Sequence, residues 1–280
     1  MTHPAPDGAR LAGPLPPARV LPTPADLARH FRDKYGDPAT VGINHRRRFR
    51  ARYTTPADVY EATVANAVFP GCAWLDVGGG ASPFPHNQRL AEATTARAGR
   101  VAAVDPSANV LDNPYAAERT QAFVQDYHPA GAFDLATLRM VAEHVTDPPA
   151  VVSALARLVR PGGRVILFTV NLMSPITVVS RFTPFGLHHP VKEKLWGGEE
   201  KDTFPTAYRM NTRETLRRQF AAGGFRETEF ARLDDCCALY RFPAAHALEL
   251  LACQLLRSAG LGYPEANLLG VYTRTDGARP

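Results

Sequence analysis

Cysteine is scarce in this chain, and the few that occur are not arranged to cross-link a fold. Four cysteines occur in 280 residues, at Cys72, Cys236, Cys237 and Cys253, without any Cys-x-x-Cys spacing. This distribution argues against a disulfide framework and against a zinc site. We therefore expect reduced and mostly buried thiols, and no bound metal.

Long apolar runs are also lacking. No stretch approaches the ~18 consecutive apolar residues that a membrane-spanning helix requires. The N-terminus lacks the basic-then-apolar pattern of a secretory signal and is rich in proline and alanine instead. We expect a cytoplasmic protein that has no membrane among its partners.

Positive charge is in slight excess, at a formal net +5. Such an excess can attract nucleic acid. However, arginine far outnumbers lysine and alanine is abundant, a combination that GC-rich codon usage also produces. The densest basic stretch, His45–Tyr53, is either an anion-binding patch or a solvated loop that packs Phe49 and Tyr53 inward. Since charge runs usually face water, we favour the loop and expect no nucleic-acid partner.

Proline and helix-start signals divide the chain into segments. Residues 1–22 are proline-rich and aperiodic, which predicts a disordered tail. Thr23 and Thr55 each stand before a proline and an early aspartate, the pattern of a capped helix start, so residues 23–70 are predicted to form an N-terminal helical cap. Residues 71–280 form the main predicted domain.

Strand and helix patterns alternate through that domain. Helices are predicted from about His86 to Ala98, after Asp147, from a capping Asn211 to Gly223 and at Phe242–Ser258. Strands are predicted at Cys72–Val77, Val101–Asp105, Gln121–Gln125, Phe133–Leu138, Arg164–Val170, Phe225–Leu233 and Leu268–Arg274. This alternation predicts an α/β fold with a mostly parallel sheet and helices on both faces. Residues 171–210 interrupt it, and a proline-containing stretch this long predicts a lid over a binding site.

The main chemical signal is a glycine turn directly after the first predicted strand. Asp76 ends the apolar run, and Gly78, Gly79 and Gly80 follow. In doubly wound α/β folds, nucleotide-like cofactors bind at this turn because glycine lets the ligand approach the backbone closely. A nicotinamide cofactor is less favoured, because Pro83 stands where the last glycine of the G-x-G-x-x-G pattern belongs.

Later residues make the signal more specific. Asp105 ends the second predicted strand, Asp126 follows the third, Glu143-His144 follows the fourth, and Pro161-Gly162-Gly163 precedes the fifth. Together, over residues 72–170, this order resembles the class I S-adenosylmethionine-dependent methyltransferases, and especially the small-molecule group similar to ubiquinone/menaquinone-biosynthesis enzymes. The resemblance implies a Rossmann-like seven-stranded sheet whose last strand is antiparallel.

The resemblance also implies where the cofactor, S-adenosylmethionine, is bound. The glycine turn would hold its methionine portion, Asp105 its ribose, and the residues after the third and fourth strands its adenine and transferable methyl. The residues carried over in this way are Asp76, Gly78, Gly79, Gly80, Asp105, Pro106, Asp126, Tyr127, Arg139 and Met140. Ser82-Pro83 departs from the pattern of many members, which carry a third glycine, so we expect an unusual helix start there.

Three histidines are candidates for a catalytic base. His144 lies just past the fourth predicted strand, beside the expected methyl position, and can alternatively pack beneath the cofactor. His188 and His189 lie in the predicted lid and can alternatively line the substrate pocket. The resemblance implies methyl transfer to a small molecule in natural-product biosynthesis, with an oxygen of a secondary metabolite or sugar-like acceptor favoured. An RNA methyltransferase or RNA-binding protein is the alternative, and a nicotinamide oxidoreductase is a weaker one.

Overall fold

Seven strands form one sheet in the computed structural model of this chain, which describes residues 18–174, 204–237, 239–261 and 264–275. In chain order they are β1 Ala73–Val77, β2 Arg100–Asp105, β3 Glu118–Gln121, β4 Phe133–Arg139, β5 Val159–Val170, β6 Phe225–Asp234 and β7 Glu265–Arg274. The strand order is β3-β2-β1-β4-β5-β7-β6, and β7 is antiparallel to both of its neighbours. The predicted Rossmann-like α/β architecture is confirmed.

Seven α-helices accompany the strands within the described residues. They are α1 Pro24–Tyr35, α2 Ile43–Arg50, α3 Pro56–Ala67, α4 Gln88–Arg97, α5 Pro148–Leu158, α6 Arg213–Ala222 and α7 Pro243–Ser258. The Thr23 and Thr55 hydroxyls each accept a hydrogen bond from the backbone N–H three residues later, as the sequence predicted. Such caps satisfy backbone donors that the first helical turn leaves unpaired.

The two faces of the sheet are covered by different helices because alternate strand residues point to opposite faces. On one face, Leu75 packs in a core with Leu155 of α5 and Phe220 of α6. On the other face, Trp74 packs in a core with Tyr60 of α3 and Ala91 of α4. The predicted helices on both faces are confirmed, and α3 of the N-terminal region contributes to one of the two cores.

The third strand was predicted three to four residues too late in the chain. β3 runs from Glu118 to Gln121, whereas Gln121–Gln125 was predicted. Gln121 is paired with Asp105, the last residue of β2, so the chain has no partner strand beyond that point. Instead it forms a 3₁₀ turn at Val124–Asp126 with Val124 buried.

The cap of α6 was also assigned to the wrong residue. Thr212, not Asn211, caps the helix by accepting a hydrogen bond from Thr215 N–H. Asn211 is buried, and its side-chain amide donates to Thr169 Oγ1 at 2.9 Å and to the Val170 carbonyl at 3.1 Å. Asn211 therefore holds the end of β5 rather than the start of the helix.

The basic stretch is a helix and not the solvated loop that was predicted. Within α2, Arg48 is only 3% exposed and its guanidinium lies 2.6 Å from Asp58 of α3. Lys34 Nζ of α1 lies 2.9 Å from Asp58 and from Glu61. Although burial opposes it, Lys34 and Arg48 lower the pKa of Asp58 to about 2. Asn87, the cap of α4, also donates to Glu61 at 2.8 Å, so this buried network joins the first three helices to the helix after the glycine turn.

The predicted lid and its two histidines cannot be compared with the structure. The lid falls largely on residues 175–203, and His188 and His189 with it, so these predictions lie outside the described residues.

The expectation for the cysteines is met. The four cysteines are unbonded, and Cys72, Cys236 and Cys253 are buried as expected. None of the helices in the described part of the chain combines the length and the apolar character that crossing a bilayer would take.

Candidate functional site

The glycine turn lies at the carboxyl edge of the sheet, where β1 sits between β2 and β4. Gly78 and Gly80 have φ values of +69° and +42°, which favour glycine over other residues. A Cβ atom on Gly78 would lie only 2.2 Å from Cγ2 of Val141, the second residue after β4. A side chain at Gly78 would therefore be strained and would also push apart the ends of β1 and β4.

The turn closes over the buried carboxyl group of Asp76. A Cβ on Gly79 would meet Asp76 Oδ2 at 2.8 Å. Asp76 Oδ1 accepts a hydrogen bond from Thr137 Oγ1 at 2.7 Å, and that hydroxyl in turn accepts one from Trp74 Nε1. Oδ2 is buried and has no hydrogen-bond partner in the part of the chain that the structure describes. Burial raises the pKa of Asp76 to about 7, even though Thr137 and Arg139 oppose the shift.

From the other side, β2 and the residues after it hold the turn in place. Asp105 Oδ2 accepts from Gly80 N–H at 3.0 Å, and Oδ1 accepts from Ser107 N–H at 2.7 Å. Asn113, which is fully buried, donates its side-chain amide to the Gly80 carbonyl at 3.0 Å. Sequence reasoning missed Asn113, because an asparagine before a proline signals a local turn and says nothing about a distant loop.

Arg139 and Met140 follow β4 directly beside this turn. Met140 has a φ of +54°, a conformation that non-glycine residues rarely adopt and that often marks a functional position. Burial raises the pKa of three groups around Arg139, and its positive charge opposes that shift in each of them: Asp76, Glu143 and Tyr60. Arg139 is therefore the cation shared by the buried groups of the site.

Tyr60 reaches the site from α3, and sequence reasoning did not single it out. Its ring stacks on Phe168 of β5 at 5.3 Å between centroids, and its side chain is fully buried. Among the described residues, its hydroxyl has no hydrogen-bond partner. Burial, and then the nearby charge of Asp76, raise the pKa of this hydroxyl. Several buried polar side-chain atoms in the described residues lack a partner, and the position of this one beside Asp76 makes it a candidate ligand contact.

Glu143 and His144 lie in a 3₁₀ turn at Ala142–His144. Glu143 is anchored through its carboxylate, which accepts from Thr169 Oγ1 at 2.7 Å. His144 is half-buried, and its Nδ1 lies 3.2 Å from the carbonyl oxygen of Pro205. Because a carbonyl oxygen can only accept, Nδ1 is the donor in this contact, and in the neutral imidazole Nε2 is then the acceptor. A neutral imidazole in this tautomer is the form that a general base requires.

Not every predicted residue converges on the turn. Tyr127 is buried in the core, and its hydroxyl lies 3.4 Å from Glu118, which pairs with Ala102 three residues before the edge of β2. Asp126 is exposed, and the Pro106 carbonyl accepts from the side chain of Gln121 at 3.2 Å. The structure thus does not bring the Tyr127 side chain to the glycine turn, and the adenine contact of Asp126 stays a prediction.

Ser82 and Pro83 do produce the unusual helix start that was expected. Ser82 Oγ accepts from Phe84 N–H at 3.2 Å, and Phe84 is fully buried, with its ring centroid 6.1 Å from that of Trp74. The following helix, α4, starts at Gln88 rather than at the predicted His86. The chain therefore forms a short anchored loop before the helix begins.

Comparison with known sequences places these features in context. Residues 28–229 match a protein family described as "Methyltransferase domain". A ubiquinone biosynthesis O-methyltransferase from Xanthomonas oryzae pv. oryzae is 37% identical over 67 residues, which cover 21% of this chain and 28% of that protein. The protein of the same name from Xanthomonas campestris pv. campestris is 29% identical over 143 residues, 45% of this chain and 57% of that protein. The matches thus span less than two thirds of these relatives.

Solved structures are similar at a greater distance. The N-methyltransferase NodS from Bradyrhizobium japonicum, in complex with S-adenosyl-L-homocysteine, is 11% identical with a TM-score of 0.45, over 89% of this chain and 97% of that one. A cyclopropane synthase from Mycobacterium tuberculosis is 16% identical with a TM-score of 0.46, over 87% of this chain and 98% of that one.

The raised pKa of Asp76 predicts a pH-dependent cost in stability. The folded protein binds the Asp76 proton more tightly than the unfolded chain does. The contribution of this proton to the free energy of unfolding is therefore fully present below pH 3.8, the ordinary pKa of an aspartate, and is lost as the pH rises through about 7. Asp76→Asn removes this titration. The melting temperature of the variant, relative to wild type, should therefore increase by ~3 °C or more between pH 5 and pH 8.

Thermal denaturation followed by circular dichroism measures this difference. Asp112→Asn is the matched control, because Asp112 is exposed, and its melting temperature relative to wild type should not change with pH. A difference between Asp76→Asn and wild type that stays constant from pH 5 to pH 8 would refute the assignment.

Proposed function

This chain belongs to the methyltransferase domain family, and from that membership we propose that it transfers a methyl group from S-adenosylmethionine to an oxygen atom of a small secondary metabolite or sugar-like acceptor. The family supports the reaction type and the cofactor. The oxygen acceptor is supported by the names of the partly matching relatives, which are O-methyltransferases. The observation that carries the proposal is the glycine turn with an unpaired carboxylate oxygen beneath it.

The residues around the turn fit this cofactor. Among the described residues, a Cβ on Gly80 would meet nothing within 4 Å, which leaves room for a ligand there. Asp76 Oδ2 is an acceptor suited to the cofactor's ammonium group. The Asp105 carboxylate accepts two backbone hydrogen bonds and keeps further lone pairs for ribose hydroxyls. When bound, S-adenosylmethionine supplies an electrophilic methyl group on a sulfonium.

Arg139 would bind the other end of the amino-acid portion. Its side chain is half-buried, and among the described residues it makes no hydrogen bond or ion pair. A guanidinium of this kind suits a carboxylate, which it can bind through two parallel hydrogen bonds. Asp76 and Arg139 would thus hold an ammonium and a carboxylate at the ends of neighbouring strands.

His144 would act as the base. Nε2 would take the proton of the acceptor hydroxyl, whose oxygen would receive the methyl group that bound S-adenosylmethionine supplies, with S-adenosyl-L-homocysteine as the leaving group. Pro205 and the anchored Glu143 would keep the imidazole in the required tautomer and position. Positioning of this kind can supply much of the rate of a bimolecular transfer. We keep His188 and His189 as further proposed contacts of the acceptor.

A small acceptor is proposed in preference to RNA because part of the basic helix already has structural partners. Arg48 is buried against Asp58, and Arg47 donates to the Pro243 carbonyl at 2.6 Å. Phosphate binding needs free cations, and these two are engaged. The proposal places the protein in the cytoplasm and in natural-product biosynthesis, with the cap and the predicted lid over the acceptor.

The ribose assignment of Asp105 can be tested by a double-mutant cycle. Asp105→Ala should weaken binding of S-adenosyl-L-homocysteine at least ~10-fold, because a buried polar contact is lost. The 2′,3′-dideoxy analogue should bind wild type more weakly by a similar factor and should lose nothing further in Asp105→Ala. Calorimetric titration of the four pairs measures this coupling.

Asn113→Ala is the control for a merely structural effect. It removes a support of the same turn without touching the proposed ribose contact. In this variant the dideoxy analogue should still bind more weakly than the parent product, by the wild-type factor. Additive losses in Asp105→Ala would contradict the ribose contact.

The role of His144 is tested by two substitutions. His144→Ala and His144→Asn should both lower turnover by ~10²-fold or more while cofactor affinity stays unchanged, since neither side chain can act as a base. Asparagine can still donate to the Pro205 carbonyl, so it retains the positioning contact. Turnover is measured as release of S-adenosyl-L-homocysteine with a panel of phenolic and sugar-like acceptors. Restored turnover in His144→Asn would show that His144 positions the 204–208 segment instead.

A further inference from the structure

The side chains of two cysteines are in contact at the β6 edge of the sheet, four strands away from β1 and its glycine turn. Cys236 follows β6, the last strand at that edge, and Cys253 lies on α7. Their sulfur atoms are 2.7 Å apart, and the side chains are 0% and 1% exposed. Cys72 and Cys237 make no such contact within the described residues. The four cysteines are therefore not equivalent.

This separation favours a covalent bond over a shared metal. Two thiolates on one tetrahedral zinc ion, at about 2.3 Å each, would hold their sulfurs roughly 3.8 Å apart. A disulfide needs about 2.05 Å. We propose that Cys236 and Cys253 are a site of reversible disulfide formation that fastens α7 to the end of β6.

The remaining possible metal ligand already has a strong partner. Asp234 lies close enough to the two sulfurs to complete a three-ligand cluster. Its two carboxylate oxygens, however, lie 2.6 and 2.7 Å from the Arg257 guanidinium, a bidentate ion pair. A cation would have to displace this arginine. The thiol pair needs no such rearrangement to form a bond.

The disulfide would stabilise the junction between the N-terminal helices and the last strand at the edge of the sheet. Cys236 N–H donates to the Tyr53 hydroxyl at 2.8 Å, and that hydroxyl donates to the Asp234 carbonyl at 3.2 Å. Tyr53 follows α2, so this junction joins the N-terminal helices to the edge of the sheet. The bond would close a loop of 18 residues, from Cys236 through Cys253, and would restrict the unfolded chain accordingly.

The chemistry requires an oxidant of the peroxide or disulfide class. With hydrogen peroxide, the two thiols give up two protons and two electrons, one S–S bond forms, and the peroxide is reduced to two molecules of water. The thiolate is the reactive form. Burial raises the pKa of both thiols, so oxidation should be slow at neutral pH and should accelerate as the pH rises.

Thiol counting on the full chain tests the proposal. After treatment with hydrogen peroxide and denaturation, wild type should show two free thiols in place of four, and peptide mapping should find a Cys236–Cys253 cross-link. The melting temperature should rise by ~5 °C or more and should return when a reductant is added. Cys237→Ser, the matched neighbour, should form the same cross-link, whereas Cys236→Ser and Cys253→Ser should neither form it nor gain stability.

Three results would overturn the proposal. They are four thiols that survive oxidation of the folded protein, a cross-link between Cys236 and Cys237 or between two chains, and stoichiometric zinc in the purified protein that is lost in Cys236→Ser. If a serine variant fails to fold, the thiol count, the peptide map and the zinc content of wild type decide between these outcomes.

Discussion

The contact between Gly78 and Val141 is the constraint on which the rest of the site depends. With no room for even one carbon atom at Gly78, the ends of β1 and β4 are held side by side. Val141 belongs to the segment after β4, in which Met140 comes directly before it and His144 three residues after it. On the opposite side, Asp105 holds Gly80 through a hydrogen bond. This crowded junction lies between the glycine turn, where we propose that the cofactor binds, and His144, the proposed base.

Several features of the site lower the stability of the folded protein, and the proposed function explains them. Within the described residues, one buried oxygen of Asp76 and the Tyr60 hydroxyl have no hydrogen-bond partner, and Met140 adopts a left-handed conformation. Each feature is unfavourable in isolation, and they lie on adjoining elements. Proteins tolerate such departures chiefly where function requires them. A ligand that supplies an ammonium donor would satisfy Asp76, so these costs are consistent with a site completed by its cofactor.

Local signals made much of the fold predictable. The alternation of strands and helices, the threonine caps and the glycine turn are all set by short stretches of sequence, and the structure contains them. Contacts between distant residues were not predictable in this way. Arg48 lies in a run of charges that is typical of a solvated segment, and only the fold reveals that Asp58 buries it. The support that Asn113 gives to Gly80 spans 33 residues, and no local pattern signals it. β3 was misplaced because its end is set by where β2 stops.

The most direct test of the central claim is a calorimetric titration of the unmodified chain with S-adenosylmethionine and, separately, with nicotinamide adenine dinucleotide. The geometry of the turn and the family membership predict saturable binding of one S-adenosylmethionine per chain and no measurable binding of the nicotinamide cofactor. Binding of the nicotinamide cofactor, with S-adenosylmethionine giving no saturable heat, would contradict the account.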